Sequence, residues 1–226
     1  MCTMRDVVGI EPFEFVPDGG PGVYGFLHRL VGPGADGIVL THGAGSDADA
    51  PLLVALASAF AERGVAALRC DLPYRQARRR GPPSPATAER DRDGIRQAIR
   101  ALRGVVRGRV FAGGHSYGGR QCSMVLAEAP DLARALLLLS YPLHPPGRSA
   151  DRRSAHLPRL RVPTLFVHGT NDPFGTIEEI EAGRALIPAR TALLTVRAGH
   201  DLGQARARTS LPDLAERVAS SFLKVV

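Results

Sequence analysis

Residues 113–119 read Gly-Gly-His-Ser-Tyr-Gly-Gly, between the apolar run Arg109-Val110-Phe111-Ala112-Gly113 and a helical segment from Tyr117 to Ala129 that Pro130 stops. A chain that leaves a strand and enters a helix over so few residues holds its apex, Ser116, in a strained conformation. The turn also presses the residues two before and two after the apex together, and Gly114 and Gly118 have no side chains to obstruct that. Ser116 is thereby lifted above a sheet edge at a helix N-terminus. A plain glycine-rich turn is the alternative reading, and the strand-to-helix placement argues against it.

Around this junction short apolar strands alternate with amphipathic helices, the pattern of a mostly parallel sheet covered on both faces. Residues 13–16 and 23–30 read as an antiparallel opening pair joined by Pro17-Asp18-Gly19-Gly20. Strands are expected at 37–40, 65–69, 109–113, 135–139, 164–168 and 191–196, and helices at 49–63, 86–103, 117–129, 176–186 and 211–224. Gly64 suits a left-handed helix end. Residues 70–85 and 141–161 read as Pro- and Arg-rich loops. With 226 residues and no internal repeat, one domain over 1–226 is expected.

Composition narrows the class. A hydrophobic fraction of 44% with 23% charged residues belongs to an ordinary globular protein, which excludes collagen, coiled coil, disulfide scaffold and wholly disordered chains. Residues 1–10 hold no apolar core of a signal peptide, and the longest apolar stretch, 52–61, falls short of the ~20 residues that span a bilayer. Cys2, Cys70 and Cys122 are odd in number and widely spaced, so free thiols and a cytoplasmic location are expected. The formal net charge of +7 is carried almost wholly by arginine, Lys224 being the only lysine. Arg92, Arg96, Arg100 and Arg103 share one helix face beside Glu89 and Asp93, as on a solvated helix surface. With no Trp and no aromatic interleaving, no nucleic-acid partner is expected.

A serine hydroxyl attacks only when a base takes its proton and an acid orients that base. Downstream of Ser116, the strand ending at His168 runs into Gly169-Thr170-Asn171-Asp172-Pro173, and the last strand into Arg197-Ala198-Gly199-His200. Both loops leave the C-terminal edge of the sheet, where ligands of parallel sheets bind. Asp172 and His200 therefore follow Ser116 in the order acid, then base. Asp172 also fits an Asx turn before Pro173, and His200 a surface loop. Donors for a developing oxyanion are expected from the Tyr117 N–H and from Thr41-His42-Gly43-Ala44-Gly45, with Ala44 preferred and Gly45 next. His115 sits inside the turn, and His144, in Tyr141-Pro142-Leu143-His144, at the mouth of the site. No metal-ligand spacing and no nucleotide-binding loop is present, so no cofactor is expected.

On these residues the chain resembles the α/β-hydrolase superfamily over nearly its whole length, and within it the small dienelactone-hydrolase-like group. It is most similar to the family that includes a testis-expressed hydrolase-like protein and the hydrolase-like subunit of a non-specific-lethal histone acetyltransferase complex. That closer match is carried by 41–45, Leu72-Pro73-Tyr74-Arg75, 113–120, 141–147 and 169–172. The resemblance implies Ser116 as nucleophile, Asp172 as acid and His200 as base. Dienelactone hydrolases proper use cysteine at the turn, where this chain has serine. The short 141–161 segment implies a minimal lid and small or openly reached acyl substrates.

The expected activity is hydrolysis of carboxylic esters or thioesters through an acyl-enzyme. His42, Gly43, Gly45, Tyr74, Arg75, His115, Tyr141 and His144 are expected around the substrate, and the arginines of 75–80 are expected to favour anionic substrates. Two alternatives remain: a non-catalytic binding or scaffold protein on the same fold, and the same triad used for transacylation or perhydrolysis.

Overall fold

The structure is a computed structural model, and it describes residues 8–30, 36–203 and 210–226. Eight strands form one sheet: β1 (Val8–Phe15), β2 (Val23–Leu30), β3 (Asp36–Thr41), β4 (Val65–Cys70), β5 (Val110–His115), β6 (Leu136–Leu139), β7 (Thr164–Gly169) and β8 (Thr191–Val196). Their order is β1-β2-β4-β3-β5-β6-β7-β8. β1 pairs antiparallel with β2 and β2 antiparallel with β4, and every later pairing is parallel. The opening pair is the expected one, although β1 starts before residue 13 because all eight of its residues find partners on β2.

Among the described residues, six helices cover the two faces: α1 (Pro51–Ala61), α2 (Pro73–Ala77), α3 (Ala88–Val105), α4 (Tyr117–Glu128), α5 (Ile177–Arg184) and α6 (Leu211–Leu223). Strand alternation sorts the core into two layers. Ile38, Leu40, Phe111, Leu137 and Leu139 meet Leu52, Leu56 and Phe60 of α1 and Val218 and Phe222 of α6. Val39, Ala112, Leu136 and Leu138 meet Ile95, Ile99 and Leu102 of α3 and Val125 of α4. All four leucines of β6 are therefore buried, as a strand covered on both faces requires.

α2 falls where a loop was expected. Pro73 opens it with a preset φ, and Asp91 of α3 accepts the Tyr74 N–H at 2.9 Å, so tertiary contacts hold a turn too short to persist alone. On α3 the arginine face is only partly solvated: Arg100 and Arg103 are exposed, whereas Arg96, paired with Glu89 at 3.0 Å and Asp93 at 2.8 Å, and Arg92, paired with Glu89, are largely covered. Cys70 and Cys122 are buried free thiols; Cys2 lies outside the described residues.

Two buried histidines tie stability to pH. His28 accepts from Arg69 Nε at 2.8 Å, and burial, then the Arg69 charge, lowers its pKa to about 4. His156 is lowered to about 4 by burial, then by Arg120 and Arg159. The unfolded chain binds protons at these sites near pH 6.5, whereas the folded protein resists until about 4, so stability falls as the pH drops between those values. A melting series from pH 7 to 4.5 should show Tm falling by roughly 5–10 °C, and His28→Gln should flatten the fall.

Candidate active site

Ser116 sits at the β5–α4 junction with φ 49° and ψ −112°, in the left-handed half of conformational space. Its N–H is spent on the Leu139 carbonyl at 2.8 Å, which anchors the strained residue to β6. The flanking glycines are required by space as well as by the turn. A Cβ on Gly114 would stand 2.2 Å from Thr41 Oγ1, and one on Gly118 would stand 2.5 Å from the His42 carbonyl oxygen. The end of β3 thus packs directly onto the turn.

Asp172 and His200 reach Ser116 from neighbouring strands. Asp172 follows β7 and His200 follows β8, and the two loops approach so closely that a Cβ on Gly169 would meet the Gly199 carbonyl oxygen at 2.4 Å. The His200 ring lies 2.8 Å from Asp172 Oδ2 through Nδ1 and 2.8 Å from Ser116 Oγ through Nε2. The Asp172 side chain is fully buried, and its Oδ1 also accepts the Phe174 N–H at 2.9 Å. The Phe174 ring lies against the imidazole, centroids 4.1 Å apart. With its carboxylate partner on Nδ1, the imidazole keeps Nε2 open to accept the serine proton.

His115 stands beside this chain rather than in it. Its Nε2 lies 3.0 Å from the His200 carbonyl oxygen, to which it donates, and burial lowers its pKa to about 4. It buttresses the His200 loop as a neutral ring. His168 donates to the Gly175 carbonyl at 2.9 Å, and its Nε2 is 3.7 Å from Asp172 Oδ2. It steadies the turn that carries Asp172.

The 42–46 loop is held by its carbonyls. The Tyr74 hydroxyl is 3.0 Å from both the Gly43 and Ala44 carbonyl oxygens, and the Gly43 oxygen also accepts from His42 Nδ1 at 2.9 Å. Arg75 donates through Nε to Ser46 at 2.8 Å and through Nη2 to Ala44 at 3.2 Å. In a trans peptide the C=O of one residue and the N–H of the next point in opposite directions. Pinning the Gly43 carbonyl toward Tyr74 therefore turns the Ala44 N–H the other way. Neither the Ala44 nor the Tyr117 N–H has a backbone acceptor among the described residues, while the Gly118 N–H is used by the His42 carbonyl at 3.2 Å.

Ser116 opens into a cavity of about 830 Å³ that Gly43, Ala44, Gly45, His115, Tyr117 and His200 also line. Its rim comes from Pro82–Pro85 and from Pro142 and Arg153 of the 140–163 connection, which holds only a short 3₁₀ turn at Leu157–Arg159. Several residues expected around a substrate are displaced from that cavity. Tyr74 and Arg75 are buried behind the 42–46 loop, where their donors reach carbonyls. His42 is fully buried, accepts the Leu72 N–H at 3.0 Å and borders a smaller neighbouring cavity. Tyr141 is turned inward to the Arg153 carbonyl at 2.6 Å, and His144 to Glu179 at 3.0 Å. None of the 75–80 arginines lines the cavity; Arg78 instead donates to the carbonyl of Pro82, which does line it, at 2.8 Å. The arginines that do, Arg92, Arg120 and Arg153, lie on α3, on α4 and in the 140–163 connection; Arg120 closes the 113–120 motif and Arg92 opens the arginine series of α3, but neither pattern pointed to the cavity.

Tyr74→Phe should lower kcat about three- to tenfold with little change in KM, the effect of losing one hydrogen bond that orients the 42–46 loop. Steady-state kinetics on a short ester would show it, and an unchanged kcat would remove Tyr74 from that role.

The model of the alpha/beta hydrolase domain family matches residues 35–226. Among solved structures, the dienelactone hydrolase from Anabaena variabilis ATCC 29413 is 24% identical with a TM-score of 0.71, over 95% of this chain and 99% of that one. Est1E from Butyrivibrio proteoclasticus is 19% identical with a TM-score of 0.73, over 94% of this chain and 98% of that one. An alpha-beta serine hydrolase homologue from Coxiella burnetii is 17% identical with a TM-score of 0.73, over 93% and 96%. At these identities the likeness to solved structures is one of fold. The family match, running from the start of the parallel sheet to the last residue, carries the assignment: the chain belongs to the α/β-hydrolase family.

Proposed function

We propose that the protein is a serine hydrolase of carboxylic esters or thioesters. The observation that carries this reading is the continuous hydrogen-bonded chain Asp172–His200–Ser116, with 2.8 Å on each side of the imidazole. Ser116 Oγ attacks the carbonyl carbon while His200 Nε2 takes its proton. The oxyanion is held by the Tyr117 N–H, at the start of α4, and the Ala44 N–H. As the tetrahedral adduct collapses, His200 gives that proton to the departing alkoxide or thiolate, leaving an ester on Ser116. Water, deprotonated by His200, then releases the acid and restores the hydroxyl.

The open cavity with its short cover fits small acyl groups better than long buried chains. One sheet running from Val8 to Val196 supports a single domain, and the buried free thiols fit a reducing compartment such as the cytoplasm. No helix among the described residues is long and apolar enough to cross a membrane. The finer resemblance, to the group with the testis-expressed hydrolase-like protein, rests on motifs that here frame the site: 41–45 and Tyr74-Arg75 shape its donor loop.

A fluorophosphonate probe should label Ser116 in the folded protein and fail after heat unfolding, as read by peptide mass spectrometry. Folded protein that leaves Ser116 unlabelled would overturn the reading.

A further inference from the structure

Among the described residues, three arginines line the cavity that holds Ser116, and they are not equivalent. Arg92 is neutralised by Glu89 and donates to Gln121 Oε1 at 3.2 Å. The guanidiniums of Arg120 and Arg153 enter no ion pair and no hydrogen bond among the described residues. Arg120 Nε is buried without a partner, and so is the amide nitrogen of Gln121, a residue with no exposed surface. Buried donors are almost always paired, and each one left unpaired costs free energy that an acceptor would recover.

The described carboxylates on the neighbouring elements have partners of their own. Glu89 is shared by Arg92 and Arg96, and Asp151 pairs with Arg148 at 3.5 Å. Asp91 accepts the Tyr117 hydroxyl at 2.7 Å and the Tyr74 N–H at 2.9 Å. The field is positive enough to act on its neighbours: burial, then the Arg120 charge, lowers the pKa of Arg153.

Position sets the kind of anion. The Arg120 N–H donates to the Ser116 carbonyl at 3.0 Å, so Arg120 stands one helical turn, about 5.4 Å, along α4 from Ser116. The leaving atom must face His200 Nε2 to receive its proton, which assigns the space along α4 to the acyl portion.

We propose that Arg120, Arg153 and the Gln121 amide form an anion subsite, and that the preferred substrate is an ester whose short acyl chain ends in a carboxylate or phosphate. The proposal rests on the serine-hydrolase reading of the same site. A planar guanidinium offers paired donors to either anion.

The test compares 4-nitrophenyl butyrate, 4-nitrophenyl hydrogen glutarate and 4-nitrophenyl 4-(phosphonooxy)butyrate. kcat/KM for the better anionic ester should exceed that for butyrate by about tenfold or more, the effect of one charge-assisted hydrogen bond, and the ratio should shrink with salt. The ranking of glutarate against phosphonooxybutyrate tells which anion the subsite takes. In the double variant Arg120→Gln, Arg153→Gln the ratio should fall towards one; if that protein does not fold, Arg153→Gln alone carries the comparison. Butyrate turned over as well as both anionic esters, or a ratio unchanged in the variants, overturns the proposal. Calorimetry on Ser116→Ala separates the two readings, because it needs no turnover. Monomethyl glutarate bound about tenfold tighter than methyl butyrate, with the difference lost in the arginine variants, keeps the subsite even if no ester is hydrolysed. Ser116-dependent hydrolysis with a flat ratio keeps the hydrolase and removes the subsite.

Discussion

Ser116→Ala is expected to lower kcat on a short ester by about 10⁴-fold or more while leaving the fold intact. The size follows from what the hydroxyl does in the proposed reaction, where it supplies the bond that holds the acyl group between the two halves. Without it, only the donor loop and the general base remain, and water would have to attack directly. The substitution removes one oxygen from a part-buried position whose N–H still bonds the Leu139 carbonyl at 2.8 Å. Stability should therefore change little, although alanine inherits the positive φ of 49° at that residue. Burst release of 4-nitrophenolate, fluorophosphonate labelling and circular dichroism together check the result. A variant that keeps wild-type kcat would remove Ser116 from the chemistry.

Asp172→Asn is expected to cost about 10³- to 10⁴-fold in kcat, with a smaller effect on KM. The carboxylate accepts from His200 Nδ1 at 2.8 and 3.0 Å, which places the ring proton on Nδ1 and the lone pair on Nε2, facing Ser116. An asparagine amide can present its NH₂ to Nδ1 instead. The ring proton then moves to Nε2, and the imidazole can no longer take a proton from Ser116. Because the Asp172 side chain is buried and His168 is only 3.7 Å away, the loss of charge should also alter the environment of the second histidine. Imidazole NMR on the variant would report the tautomer at His200. A kcat within tenfold of wild type would show that orientation of His200 does not depend on this carboxylate.

Much of this architecture could be read from the chain. The Gly114-x-Ser116-x-Gly118 spacing at a strand-to-helix junction is a local steric requirement, and the contacts a Cβ would make at both glycines explain why. The loops carrying Asp172 and His200 were legible because each follows an apolar strand, and parallel strands deliver their C-terminal ends to one edge. Residue chemistry proved a poorer guide to the surroundings. Tyr74, Arg75, Tyr141 and His144 have polar groups that suit a substrate, yet each is turned inward to hold the backbone or a neighbouring side chain. A side chain's direction depends on what packs around it, and neighbours far apart in the chain decide that. Phe174, which lies on the His200 ring, carried no signal beyond its place after Pro173.

The sequence by itself determined the alternation of strands and helices, the strained turn at Ser116 and the order of the three polar residues along the chain, because periodicity and glycine sterics are local properties. Only the tertiary structure decided that Arg120, Arg153 and Gln121 share a cavity with Ser116 and that the 75–80 arginines do not line it. Unpaired charge is a property of a neighbourhood: a guanidinium is satisfied or unsatisfied according to which carboxylates and carbonyls the fold brings within reach, and no spacing along the chain records that.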